Sequence, residues 1–113
     1  GINLVGACEV MVLAEKMGLD KENALSLIER SSGQNWIGTD RLRRVFAGDT
    51  TIGSHMRLLA KDTRLAMEAA HEVGFDGWLG SLTAKAFNQA CAQGMTDMDD
   101  SQMLEFIRHA DNA

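Results

Sequence analysis

The 113-residue chain has no proline and no tyrosine. Proline breaks helix interiors, so its absence removes the commonest interruption of a helical pattern. Aromatic residues make up only 5% of the chain, and β-branched runs are scarce. Both features count against strands. Two cysteines are present, Cys8 and Cys91, too far apart to match a disulfide-framework or zinc spacing. Both fall on apolar helical faces and are expected to be small buried hydrophobes in a reducing compartment. Basic residues number 11 against 16 acidic ones, for a net charge of −5. Nucleic-acid binding depends on cations that displace counterions, so DNA and RNA are not expected partners. No apolar run is long enough to span a membrane and no signal peptide is visible, so the expectation is a cytoplasmic protein that binds no membrane.

What remains is a sequence rich in helix formers. Its hydrophobic content of 45% is ordinary for a globular domain, and its length fits one domain only. Apolar spacing predicts six helices. The first covers 2–18 and carries Ile2, Val5, Cys8, Val12 and Met17, widened by Leu4, Met11 and Ala14, with Gly18 as its stop. Being apolar over much of its circumference, it should be largely buried. Asp20 should cap a second helix to Arg30, and Thr39 a short third one stopped by Gly48. Ser54 should cap a long fourth helix to about Val73. A turn at 74–77 precedes a fifth helix from Trp78 to Gln93, stopped by Gly94. Asp99 or Asp100 should cap the sixth, with Met103, Leu104, Phe106 and Ile107 on its buried side. The tail after His109 should fray. The chain opens on Gly1 directly into an apolar helical pattern, which suggests a start inside a longer helix.

The residues alone reveal little chemistry. Gly74, Gly77 and Gly80 have the wrong spacing for a dinucleotide-binding turn, and no strand precedes them. His55, His71 and His109 are scattered, so no metal site is expected. Asp97, Asp99 and Asp100 lack the glycine and closing glutamate of a calcium loop, and helix capping accounts for them better. Arg41, Arg43 and Arg44 form the one basic cluster, which is expected to be a solvated helix face or an intersubunit contact.

Four segments, in order, resemble the C-terminal domain of the β-hydroxyacid dehydrogenases. This family includes 3-hydroxyisobutyrate dehydrogenase, tartronate semialdehyde reductase and L-threonate dehydrogenase, and is related to 6-phosphogluconate dehydrogenase. The segments are Glu9 through Asp20 (EVMVLAEKMGLD), Ser31 through Trp36 (SSGQNW), Leu59 through Ala66 (LAKDTRLA) and Gly94 through Ser101 (GMTDMDDS). Thr63 stands where the family's Lys-Asp helix usually has an apolar residue, and Thr96 where glycine is usual. The resemblance implies an all-α, six-helix domain of 6-phosphogluconate dehydrogenase-like type spanning 1–113. Its long first helix would be truncated at the N-terminal end, and the N-terminal Rossmann domain would be absent.

The resemblance also implies function. The parent protein would be an oxidoreductase that moves a hydride between NAD or NADP and a small hydroxy acid. Its catalytic lysine would lie about two helical turns before Gly1, so no catalytic residue is expected in this chain, and Lys16 is not that lysine. Lys61 and Asp62 carry over as the cofactor-facing pair, the carboxylate orienting the ammonium. Ser32, Gly33, Asn35 and Ser54 are the candidate substrate-cleft residues. Family members often carry phenylalanine where Ser54 stands. Partners would be the Rossmann domain and further copies in a homodimer or homotetramer. The rival reading is a non-catalytic helical module that self-associates through its apolar first helix.

Overall fold

Fifteen residues form α1 (Ile2–Lys16) in the computed structural model, which describes residues 1–110. The helix ends where the sequence predicts. Gly18 takes φ +78°, a conformation costly for any residue with a Cβ. That turn lets the Leu19 amide donate to the Ala14 carbonyl, and the Gly18 amide to that of Glu15, each at 3.0 Å. Two otherwise orphaned carbonyls are thus satisfied. The same closure ends α3 (Trp36–Phe46) at Gly48 and α4 (Met56–Glu72) at Gly74.

The remaining elements are α2 (Lys21–Glu29), α5 (Leu79–Ala90), a wide helical turn at Cys91–Met95, a tight turn at Asp100–Gln102 and α6 (Met103–Ala110). Among the described residues there is no strand, only an isolated bridge between His55 and Asp99. Over the described residues the fold is all-α with six α-helices, as expected. Of the tail expected to fray, residues 111–113 lie outside the described residues.

The core explains the order. Leu4, Cys8 and Met11 of α1 are fully buried together with Leu42, Met56, Phe87 and Met103, one or more from every helix but α2, which contributes Leu25. α1 packs on α2, α3, α5 and α6, while α4 and α5 form a hairpin. Truncating a core side chain such as Leu4 to alanine costs about 2–5 kcal/mol. Cys8 is the small hydrophobe anticipated: burial first, and the Asp100 charge second, push its thiol up to about 12. Both cysteines are free, Cys8 buried and Cys91 half-buried.

Four expectations need correction. α1 is not largely buried: Ile2, Val10, Leu13 and Met17 are 45–65% exposed. It is apolar all round, but the other helices cover only one side. Thr39 is not the cap of α3. Asn35 is, its Oδ1 accepting from the Gly38 amide at 2.6 Å, so the helix starts a turn earlier. Ser54 does not cap α4; His55 occupies the cap position without a side-chain bond. The first amides of α4 instead reach backbone, Met56 to the Met98 carbonyl at 2.8 Å and Arg57 to that of Thr96 at 3.2 Å. No side-chain acceptor is needed there.

Finally, the arginine cluster is an internal clasp rather than a solvated face. Arg41 grips the fully buried Asp100 at 2.6 and 3.3 Å. Arg44 reaches Asp99 at 3.2 Å, and Arg43 holds Glu29 and Glu22 of α2 at 2.5 and 3.0 Å. Asp99 caps the last segment as expected, accepting from the Ser101 amide at 3.1 Å.

Candidate cleft at the first turn of α1

The first turn of α1 stands between two grooves, and Ile2 and Asn3 line both. Asn3 interrupts an otherwise apolar run, Ile2-Asn3-Leu4-Val5, and was the one polar signal in it.

One groove, of about 360 Å³, lies between α1 and the α2–α3 junction. Its floor is apolar, with Leu25, Ile28 and Leu42, and its rim carries Ser31, Gly33, Asn35 and Thr39. Local bonds shape this rim. The Ser31 hydroxyl donates to the Ile28 carbonyl at 2.8 Å and accepts from the Gly33 amide at 3.1 Å. Asn35 does two jobs. Its Oδ1 caps α3, and its Nδ2 donates to the Asn3 carbonyl at 3.4 Å. α3 approaches α1 closely here, because a Cβ on Gly38 would lie 2.8 Å from the Ala7 Cβ. Ser32 is exposed on the same loop.

The other groove, of about 480 Å³, lies between α1, α4 and α5. Asp62, Thr63, Ala66, Gly80 and Thr83 line it. The Thr63 hydroxyl donates to the Leu59 carbonyl at 2.7 Å, so its methyl is left for the groove. Lys61 stands beside the groove, its Nζ 3.3 Å from Asp62 Oδ1, with both side chains more than half exposed. Such an exposed pair contributes little to stability, which leaves the ammonium available to a ligand.

The structure therefore gathers Gly33, Asn35 and Asp62 around Asn3, with Ser32 and Lys61 at the margins. Ser54 is not brought there. Its amide donates to Asp99 Oδ1 at 3.2 Å and its carbonyl accepts from the Asp100 amide at 2.8 Å, beside the C-terminal end of α3. Asn3 and the second bond of Asn35 were missed in the sequence. Nothing marks a contact between positions 32 apart, although an asparagine within an apolar run was a usable hint.

Amides, a carboxylate and an ammonium can orient a polar ligand by charge-assisted hydrogen bonds. The two grooves hold no histidine, lysine or cysteine that could serve as base or nucleophile. Among the described residues no cluster of three or more metal-ligating side chains occurs, and no helix is long and apolar enough to cross a membrane.

Comparison with known proteins gives a consistent result. Residues 1–107 match the family described as NAD-binding of NADP-dependent 3-hydroxyisobutyrate dehydrogenase. The chain is 27% identical over 107 residues to the L-threonate dehydrogenase of Haemophilus influenzae, covering 95% of this chain and 36% of that protein. It is 30% identical over 115 residues to human mitochondrial 3-hydroxyisobutyrate dehydrogenase, covering 95% and 34%. Its fold superimposes on the crystal structure of 3-hydroxyisobutyrate dehydrogenase from Salmonella typhimurium with a TM-score of 0.88 at 27% identity, over 93% of this chain and 37% of that one. The chain spans about a third of the length of these relatives.

Proposed function

From the premise that the chain belongs to the family of NADP-dependent 3-hydroxyisobutyrate dehydrogenases, we propose that it is the helical cleft wall of an NAD- or NADP-dependent hydroxyacid dehydrogenase. In that reading a Rossmann domain, contributed by sequence preceding residue 1, carries the dinucleotide. This chain carries no glycine-rich phosphate-binding turn. In that reading the exposed donor of Lys61 and the acceptor of Asp62 would face the nicotinamide end of such a cofactor.

The observation that carries the proposal is the meeting of Asn35, Asn3 and Asp62 at one helical turn, in a chain matched to the family from residue 1 to 107. The cofactor, when bound, supplies the hydride acceptor or donor. The residues of this chain then bind and orient. Asp62 fixes the Lys61 ammonium by a charge-assisted contact, and the ammonium holds a substrate carboxylate or the carboxamide oxygen of the nicotinamide. Asn35, Gly33 and Ser32 bound the substrate side, where an apolar floor of Leu25 and Ile28 excludes water. Ser54 acts on this cleft only by fixing the start of α4. Proton transfer falls to a group outside this chain, a lysine preceding residue 1.

The direct test joins the chain to its preceding sequence and assays L-threonate and 3-hydroxyisobutyrate with NAD and with NADP. Turnover of a hydroxy acid is expected, and Lys61→Met should lower kcat/KM by about a hundredfold or more. Absence of turnover with every acid and both cofactors would sink the dehydrogenase reading and favour a non-catalytic helical module. Wild-type kinetics in Lys61→Met would sink the assignment of Lys61 alone.

A further inference from the structure

Thr83 of α5 carries a polar group that the fold does not use. It is only 4% exposed and lines two grooves, one towards α4 and one towards α6. A helical threonine often donates to a carbonyl one turn back, as Thr63 does to Leu59 at 2.7 Å. The Thr83 hydroxyl makes no hydrogen bond among the described residues, yet no side-chain nitrogen or oxygen sealed from solvent there lacks a partner. Its oxygen therefore opens into a groove. Towards α6 the surroundings are mainly apolar, Leu82 and Phe106 among them. Towards α4 stand Asn3 and Asp62. Both keep hydrogen-bonding capacity. Asn35 engages only the backbone carbonyl of Asn3, whose exposed amide side chain has a donor and an acceptor to offer. Asp62 has more lone pairs than its 3.3 Å contact with Lys61 occupies.

We propose that Thr83 is a specificity-determining residue of this cleft, and that the acid taken there is a polyhydroxy acid, with hydroxyls beyond the one that is oxidised. The inference rests on the dehydrogenase reading and names its substrate class. A small acid seated at the first turn of α1 meets both grooves, since Ile2 and Asn3 line each. Its carbon chain faces the apolar floor of one, and its further hydroxyls face the polar wall of the other. A hydroxyl both donates and accepts, so it can give its hydrogen to Asp62 while accepting from Asn3 or Thr83. An alkyl group in the same place would leave the Thr83 hydroxyl dry and unpaired, which weakens binding. A site that reads a hydroxyl rejects the analogue lacking it far better than an apolar site rejects an added hydroxyl. The groove, at about 480 Å³, has the size of a small-molecule cleft.

The test uses the chain joined to its preceding sequence, with NAD and NADP. The probes are L-threonate, which carries further hydroxyls, and 3-hydroxyisobutyrate, which carries a methyl branch instead. A preference for L-threonate in kcat/KM of about a hundredfold or more is expected. Thr83→Val puts a methyl in place of the hydroxyl and should cut that preference about tenfold. Thr83→Ser, which keeps the hydroxyl, should retain it. Asn3→Leu leaves the Asn35 bond to the backbone carbonyl in place and should also narrow the preference, even if Thr83→Val fails to fold. Equal or better use of 3-hydroxyisobutyrate overturns the inference while the dehydrogenase reading stands; no turnover with either acid removes both. A folded Thr83→Val enzyme that loses both acids equally also overturns it, because that loss is structural. So does one that only raises the KM of the cofactor, which would set the hydroxyl against the cofactor's ribose.

Discussion

The two ends of α3 are built on opposite plans. At its C-terminal end every charge is answered from within the chain. Arg41 holds Asp100, Arg44 holds Asp99, and Asp99 also accepts the Gly53 amide at 2.8 Å and the Ser54 amide at 3.2 Å. That end locks the start of α4 to the start of α6. The N-terminal end is held by one asparagine. Trp36 is 73% exposed there, and across the first turn of α1, in the other groove, the Lys61–Asp62 pair of α4 faces solvent. A buried, saturated network fixes geometry. A half-open rim of donors and acceptors leaves capacity for a ligand. The closed end is the scaffold and the open end is the candidate site.

The sharpest way to break this comparison is to remove one charge from the closed end and one from the open cleft across α1. Asp100→Ala leaves Arg41 mostly buried and without its main partner. Removing one member of a buried pair costs about 3–5 kcal/mol. Asp62→Ala, at an exposed pair, should change stability by no more than about 0.5 kcal/mol. Urea denaturation monitored by circular dichroism reads both. Equal losses would mean that the ends do not differ in kind.

Acid should distinguish them next. Burial opposes the charge on Asp99, but the Ser101 hydroxyl and the amides of Gly53, Ser54 and Ser101 outweigh it and hold the carboxyl at about 2. Its folded value thus lies below the unfolded value of about 3.9. The sign follows: the stabilisation is complete above about pH 4 and is lost as the pH falls towards 2, a loss of roughly 2 kcal/mol. Urea midpoints at neutral pH and near pH 2.5 measure it. Asp99→Asn should be less stable at neutral pH and should lose part of this acid sensitivity. An unchanged acid response in Asp99→Asn would show that the closed end does not depend on this charge.

Much of the scaffold was legible because its signals are local. Gly18, Gly48 and Gly74 end helices wherever they follow an apolar period, and Asp20 and Asp99 cap as their type suggests. The failures share one cause. Arg41 and Asp100 lie 59 positions apart, and Arg44 and Asp99 lie 55, so an arginine cluster looked solvated until its partners were placed. Ser54 had the side chain of a cap, yet the carbonyls of Thr96 and Met98 already served that helix start. The burial of α1 was misjudged for a related reason. Composition tells how apolar a helix is, but only the number of covering elements tells how much of it is hidden. At the candidate site, Lys61, Asp62, Gly33 and Asn35 were identified through family resemblance. Asn3, which joins their two grooves, carried no motif.

The smallest expected effect tests whether the open end is held on purpose. Asn35 both caps α3 and ties it to the first turn of α1. Asn35→Ala removes both bonds, and loss of a cap costs about 1 kcal/mol. Asn35→Asp keeps the acceptor for the Gly38 amide, and its charge suits the positive end of the helix dipole. It lacks the donor for the Asn3 carbonyl, so overall stability should stay within about 0.5 kcal/mol of wild type. The two variants should separate in amide hydrogen exchange. Alanine should speed exchange at the start of α3 and at the Val5 amide of α1, which bonds the Gly1 carbonyl. Aspartate should speed it only at Val5. If aspartate leaves Val5 protected, the link between the two helices carries no strain or support, and the rim is merely unsealed. If Val5 responds alone, one side chain sets the spacing between the α2–α3 rim and the turn that carries Asn3.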